Sequence, residues 1–169
     1  MRDQYLSASQ DLVDEVIDRH NLQVSSKLQS HAVLVMANYF DKSLKDISIT
    51  VEYLRSNINE PNSLAFSELG DHCLMFTSLF KSRAKKIGSV RYYSKIGATS
   101  YMNAYMTEEA YGFRYMRDIL NLVFKRNMHN DIDELLDEAS ADSPFAKDQL
   151  KVINVCLLYT SPSPRDNPA

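Results

Sequence analysis

Across the first 155 residues only four glycines and two prolines interrupt the chain, and apolar residues return every three or four positions. That spacing lines apolar side chains along one face of a helix, and a chain with so few breakers has little else to form. The most regular stretch is Phe66, Leu69, Cys73, Phe76 and Phe80, stepping by 3, 4, 3 and 4 from a start near Asn62. The pattern predicts an all-α fold, a bundle of about six to eight helices.

Other segments follow the same rule. A first helix over 3–20 places Leu12, Val13, Val16 and Ile17 on one side. Ser26-Lys-Leu-Gln29 has capping-box spacing and opens a helix through Leu28, Ala32, Val35, Met36, Tyr39 and Phe40. The segment 43–56 fits both periods, since Ile47, Ile49, Val51 and Tyr53 also alternate; a lone strand would lack a partner, so helix is expected. A helix over 107–126 starts at Thr107 and buries Phe113, Met116, Leu120 and Phe124. Asn130 can cap a piece over 131–139, and Ser143-Pro144 carries the signature of a final helix start.

Gly70 and Gly97 stand inside regular helical patterns, where each costs about 1 kcal/mol relative to alanine. A central antiparallel hairpin of helices over about 62–84 and 89–105, turning near Lys86, accounts for that cost. It sets Gly70 opposite Tyr101 and Met102, and Gly97 opposite Met75 and Phe76, with the Tyr101 hydroxyl within reach of Asp71.

The stretches SELGDHCLMFTSLF and VRYYSKIGATSYMNAY resemble a family of bacterial helical proteins with no assigned activity. Its pattern is Leu-Gly-Asp-x-x-Leu-Phe followed by Tyr-Tyr-x-x-x-Gly-x-x-x-Tyr, matched here by Leu69, Gly70, Asp71, Leu74, Tyr92, Tyr93, Gly97 and Tyr101. The resemblance covers Leu22 to Phe124 and implies a helical fold; it brings no catalytic residue and no cofactor. His72 stands where members of the family carry an aliphatic residue.

The segment Cys156 to Ala169, CLLYTSPSPRDNPA, holds three of the five prolines and no apolar period. Its first eleven residues, to Asp166, resemble the translation of a transposase-type sequencing adaptor. Residues 1–155 are therefore expected to form a single helical domain, and 156–169 a disordered, non-native tail. The 44% hydrophobic and 24% charged content is that of a globular protein, and no apolar run approaches the ~18 residues a membrane span needs. The opening residues carry no signal-peptide pattern, and Cys73 has no second cysteine before the tail, so a cytoplasmic location is expected.

Three groups of residues bear on function. Glu68, Asp71 and His72 can share one helix face toward a metal, but the Glu-x-x-His motif of di-metal bundles is absent. Between Asp71 and Glu108 there is no acidic residue, whereas Lys81, Arg83, Lys85, Lys86, Arg91 and Lys95 cluster around Gly88, in a chain of net charge −3. With Tyr92 and Tyr93 beside it, the basic turn 81–95 suits phosphate or single-stranded nucleic acid, or an acidic partner, which includes this chain's own acidic end at Asp131 to Glu138. Nucleophilic catalysis has little to stand on: Cys73 falls on the apolar face, and no Gly-x-Ser-x-Gly elbow, Gly-rich phosphate loop or Cys-x-x-Cys occurs. The expected role is contact with another protein or self-association, without a cofactor. Phosphate binding and metal-dependent catalysis are the alternatives.

Overall fold

The computed structural model describes residues 2–41, 53, 55–57, 62–125 and 132–160. The fold is all-α, with nine helices bounded among the described residues: α1 (Arg2–His20), α2 (Ser26–Asp41), α3 (Ser63–Ser78), α4 (Lys81–Ile87), α5 (Val90–Asn103), α6 (Thr107–Tyr111), α7 (Phe113–Phe124), α8 (Ile132–Ser140) and α9 (Pro144–Thr160). Val13 and Val16 of α1 turn inward and Ile17 packs beside them, but Leu12 faces solvent, so the apolar face is narrower than expected. One core cluster runs through Val13, Ala32, Met36, Cys73, Leu74, Tyr101, Met116 and Leu120.

Side-chain caps set several helix starts. Asn62 Oδ1 accepts from the amides of Leu64 and Ala65, and Ser89 Oγ accepts from Tyr92 N–H, opening α3 and α5. Ser143 Oγ accepts from Ala146 N–H ahead of Pro144. For α2 the cap lies one residue earlier than expected. Ser25 Oγ accepts from Leu28 N–H at 3.3 Å, and Gln29, instead of closing a capping box, donates to Asp14 of α1. Helix α6 begins without a side-chain cap at Met106, so Thr107 is its first residue rather than its cap.

Helices α3 and α5 form the central hairpin, and the two glycines let them close. A Cβ on Gly70 would stand 2.4 Å from the Tyr101 ring, and one on Gly97 would stand 2.4 Å from Phe113 and 2.7 Å from Cys73 Cβ. Gly97 therefore faces Cys73 and Phe113 rather than Met75 and Phe76. The register holds at Gly70, which meets Tyr101 as expected, while the residue of α3 facing Gly97 lies about one turn before Phe76. Helix α3 stops at Ser78, and the short α4 is set between the two arms. Thr77 Oγ1 donates to the Cys73 carbonyl at 2.8 Å and Ser78 Oγ to the Leu74 carbonyl at 2.7 Å, while Phe80 N–H reaches back to Met75 O. Successive hydroxyls that compete for the carbonyls of the preceding turn bend and end a helix.

The helix expected over 107–126 is likewise divided, at Gly112, where a Cβ would meet the Leu28 side chain at 2.4 Å. The break lets α2 approach the α6–α7 junction. Of the segment 43–56, Tyr53, Arg55 and Ser56 are helical and the remainder lies outside the described residues, as does Asn130. The boundary expected after Val155 falls inside α9, whose backbone continues to Thr160; residues 161–169 lie outside the described residues.

Helix propensity alone makes Gly97→Ala stabilising by about 1 kcal/mol. The overlap with Cys73 Cβ involves no flexible chain end that could swing clear, so overpacking should win and the variant should be less stable by about 1–3 kcal/mol. Urea unfolding measures this; a gain in stability would show that the hairpin opens at no cost.

Candidate functional site

Asp71 lies at the meeting of three helices. Its Oδ1 accepts from the Tyr101 hydroxyl at 2.7 Å and contacts His31 Nε2 at 3.0 Å, and the same imidazole nitrogen stands 3.1 Å from Tyr101 Oη. The carboxylate expected to meet tyrosine thus also holds α2 through His31. Burial, then the Asp71 charge and hydrogen bond, hold the Tyr101 phenol well above its ordinary pKa, so it stays a donor. Glu68, Asp71 and His72 do not converge. His72 Nδ1 bonds the Glu68 carbonyl oxygen at 2.7 Å, and among the described residues no group of three or more His, Cys, Asp or Glu side chains is placed to hold a metal ion. The Cys73 thiol is fully buried, and burial pushes its pKa up.

The basic turn is part of a cavity of about 360 Å³ between α4, the start of α5, α7 and the α8–α9 turn. Lys81 Nζ donates to Glu138 Oε1 at 2.6 Å, with both side chains largely buried, and Asn121 donates to the same oxygen at 2.9 Å. Burial would raise the Glu138 carboxyl, but the Lys81 ammonium outweighs it and the pKa lies below the ordinary value. Lys85 Nζ meets Asp137 Oδ2 at 3.1 Å in solvent. Two of the six basic residues are therefore neutralised by this chain's own acidic helix, α8. Lys86, Arg91 and Lys95 are exposed and form no ion pair with a described residue, and the Arg83 side chain lies outside the described residues. Tyr93 is buried edge-to-face against Phe76, with ring centres 5.0 Å apart, and Tyr92 packs edge-on against Tyr93. Of the two, only Tyr92 offers a free face.

Sequence reading missed the polar groups that α7 contributes. Arg117 Nη1 donates to Ser94 Oγ at 2.6 Å and Nη2 to the Ala141 carbonyl at 2.7 Å. Asp118 accepts from Ser143 Oγ at 2.7 Å and from Phe145 N–H at 3.0 Å. Adjacent charged residues in an amphipathic helix read as surface, and neither carries a motif. The signal that could have found them is Ser143-Pro144, a helix start that a buried acid can serve from outside.

The opposite end of the hairpin also went unread. Helices α1, α5 and α8 each end in a left-handed residue, at Asn21 (φ 49°), Tyr105 (φ 60°) and Asp142 (φ 67°). In each the following amide bonds a carbonyl five residues back: Leu22 to Ile17, Met106 to Tyr101 and Ser143 to Glu138. Asn and Asp tolerate this conformation, but a tyrosine there is strained. Tyr105 is nonetheless 86% exposed, and Tyr111 is 73% exposed. The turn between them is clamped to α2, where Ser25 Oγ donates to Glu108 Oε1 at 2.5 Å and Lys27 Nζ lies 3.8 Å from both Glu108 and Glu109.

Comparison with protein families, curated proteins and solved structures gives no match to this chain. Among the described residues, no helix is long and apolar enough to cross a membrane.

Two outcomes follow from this geometry. Removing one partner of a buried pair strands the other charge, so Lys81→Met should cost about 3–5 kcal/mol, whereas Lys85→Met, in solvent, should cost less than about 1 kcal/mol. Equal costs in chemical unfolding would mean that the pair with Glu138 is not structural. Burial raises the Asp118 carboxyl to about 6, against the opposing bonds from Ser143 and Phe145. The folded protein then keeps a proton that the unfolded chain releases from about pH 4 upward. Stability is lost as pH rises through that window, and the full deficit, on the order of 3 kcal/mol, stands above about pH 6. The unfolding free energy of Asp118→Asn minus that of the wild type should therefore grow by this order between pH 4 and 7; a difference independent of pH would remove the buried-acid reading.

Proposed function

We propose that the protein acts by binding another protein, as an adaptor or regulatory module, through the aromatic end of the hairpin that presents Tyr105 and Tyr111. The observation that carries this reading is Tyr105. Helix α5 ends in a motif for which glycine is the low-energy choice, yet the position holds a large aromatic side chain with almost no contact inside the fold. Strain of roughly 1–2 kcal/mol is retained for a side chain that contributes little to the core. Tyrosine supplies contact area with few rotatable bonds, and interface centres are enriched in it. The clamp from Ser25 and Lys27 onto Glu108 and Glu109 holds the turn in place before a partner arrives, which lowers the ordering cost of binding.

The basic turn supports phosphate or nucleic-acid binding less well. Lys81 and Lys85 are committed to Glu138 and Asp137, and those acids line the same cavity as Arg91, where they would repel a polyanion.

Tyr105→Gly should separate the two roles of this position. Relief of the left-handed strain should raise the melting temperature by about 2–4 °C, while partner binding weakens. A photocrosslinking residue in place of Tyr111 should join the protein in cells to one dominant species, and the same residue at exposed Lys151 of α9 should not. Equal crosslinking at both positions would sink the reading, and an adduct only to a second copy would identify the partner as this chain.

A further inference from the structure

We propose that the cavity beside Arg117 is a binding site for a small organic molecule bearing a single carboxylate. It lies at the other end of the hairpin from Tyr105, about 21 Å away along the 14 residues of α5, and is independent of the protein-binding reading.

Arg117 is the observation that points to a ligand. The residue is 4% exposed and lines the cavity, yet among the described residues no carboxylate lies within 4.0 Å of its guanidinium. Its protein partners are two neutral oxygens, Ser94 Oγ and Ala141 O. A guanidinium has five N–H donors, so three remain for something else. A buried cation without a counter-charge is costly, and a planar fork of donors is matched by a carboxylate.

The acids close by are occupied with other donors. Asp118 is held by Ser143 and Phe145, Glu138 by Lys81 and Asn121, and Asp137 by Lys85. The charges of Asp118, Asp142 and Glu138 act on Arg117, but Asp142 is held by Arg114 and Lys147, and none supplies the contact. The wall has room for the missing one: about 360 Å³ suits a small metabolite and is far too little for a folded partner.

Charge selects the number of acidic groups. The lining holds four cations, Lys81, Lys85, Arg91 and Arg117, against the three carboxylates of Asp118, Asp137 and Glu138. The balance of one positive charge is met by one negative charge, and a phosphate dianion or a polyphosphate would leave an excess beside three acids. The first turn of α5 at Val90 and Arg91 also borders the space, and its positive dipole end adds to the preference for an anion. The Thr77 and Ser140 hydroxyls on the lining donate to backbone carbonyls and keep lone pairs that can accept from a hydroxylated ligand.

The test is a nitrogen–proton correlation titration of the full chain with glycolate, with its neutral amide glycolamide, and with inorganic phosphate. Glycolate should shift the Arg117 Nε–H and the Arg91 amide saturably at millimolar concentration, and glycolamide should not. Arg117→Gln should weaken glycolate binding about tenfold or more, while Lys86→Gln, exposed and outside the lining, should leave it unchanged. If Arg117→Gln does not fold, the comparison of glycolate with glycolamide on the unaltered protein decides alone. The proposal is overturned by an absence of saturation with glycolate, by equal shifts with glycolamide, by tighter binding of phosphate than of glycolate, or by equal loss in Lys86→Gln.

Discussion

One carboxylate organises the fold. Asp71 Oδ1 takes the hydrogen of a fully buried tyrosine on α5 and meets a histidine on α2, so a single oxygen joins three helices at one point. The glycine beside it matters as much, because the Tyr101 ring occupies the space a Cβ at position 70 would need. Close approach and hydrogen bond are therefore one constraint: the ring can lie against the backbone of α3 only where its hydroxyl finds Asp71, and the hydroxyl finds Asp71 only where no side chain intervenes. With that register set, Gly97 falls against Cys73 and Phe113, and α7 is drawn onto the pair.

How far the structure could be read from sequence depended on whether the governing interaction was local. Helix positions followed from the spacing of Phe66, Leu69 and Cys73, and the pairing of Gly70 and Asp71 with Tyr101 followed from the rise of a helix. The breaks at Ser78 and Gly112 did not follow, since apolar spacing continues through both; what ends the helices there is competition from the Thr77 and Ser78 hydroxyls and the approach of Leu28 from a distant helix. Ser25 displaced Ser26 as the cap because Gln29 had a partner in α1 that only tertiary structure supplies. The basic turn was visible as a run of charge, and its dependence on Glu138 and Asp137 was foreshadowed by the acidic run at 131–138. Arg117 was not legible, because a charged residue on an amphipathic helix looks the same whether it faces solvent or a cavity.

The two ends of the hairpin carry different chemistry for a reason rooted in its construction. At the closed end, a connection long enough to include α4 leaves space between the arms and α8, and that space is lined with charge. At the open end, α5 must stop sharply to let α6 return toward α2, and the stop is made with a tyrosine in a left-handed conformation. One end is concave and polar. The other bears an exposed aromatic side chain on a clamped turn.

The attachment of α8 and α9 differs in kind from the rest of the packing. Among the described residues, neither helix contributes a buried member to the main core cluster: Leu135 and Ala146 are buried apart from it, Phe145 packs edge-on against His20, and Arg117, Asp118, Asn121 and Lys81 add directed polar bonds. Apolar contacts lose strength gradually as surfaces slide, whereas directed bonds are made or broken within a few tenths of an ångström. The expected consequence is a unit that opens cooperatively: if these bonds break together, the amides of α8 and the start of α9 should exchange with solvent as a group and ahead of those in α3 and α5. Such an opening would uncover the whole floor of the Arg117 cavity at once, giving a buried guanidinium a route to the outside that needs no movement in the hairpin.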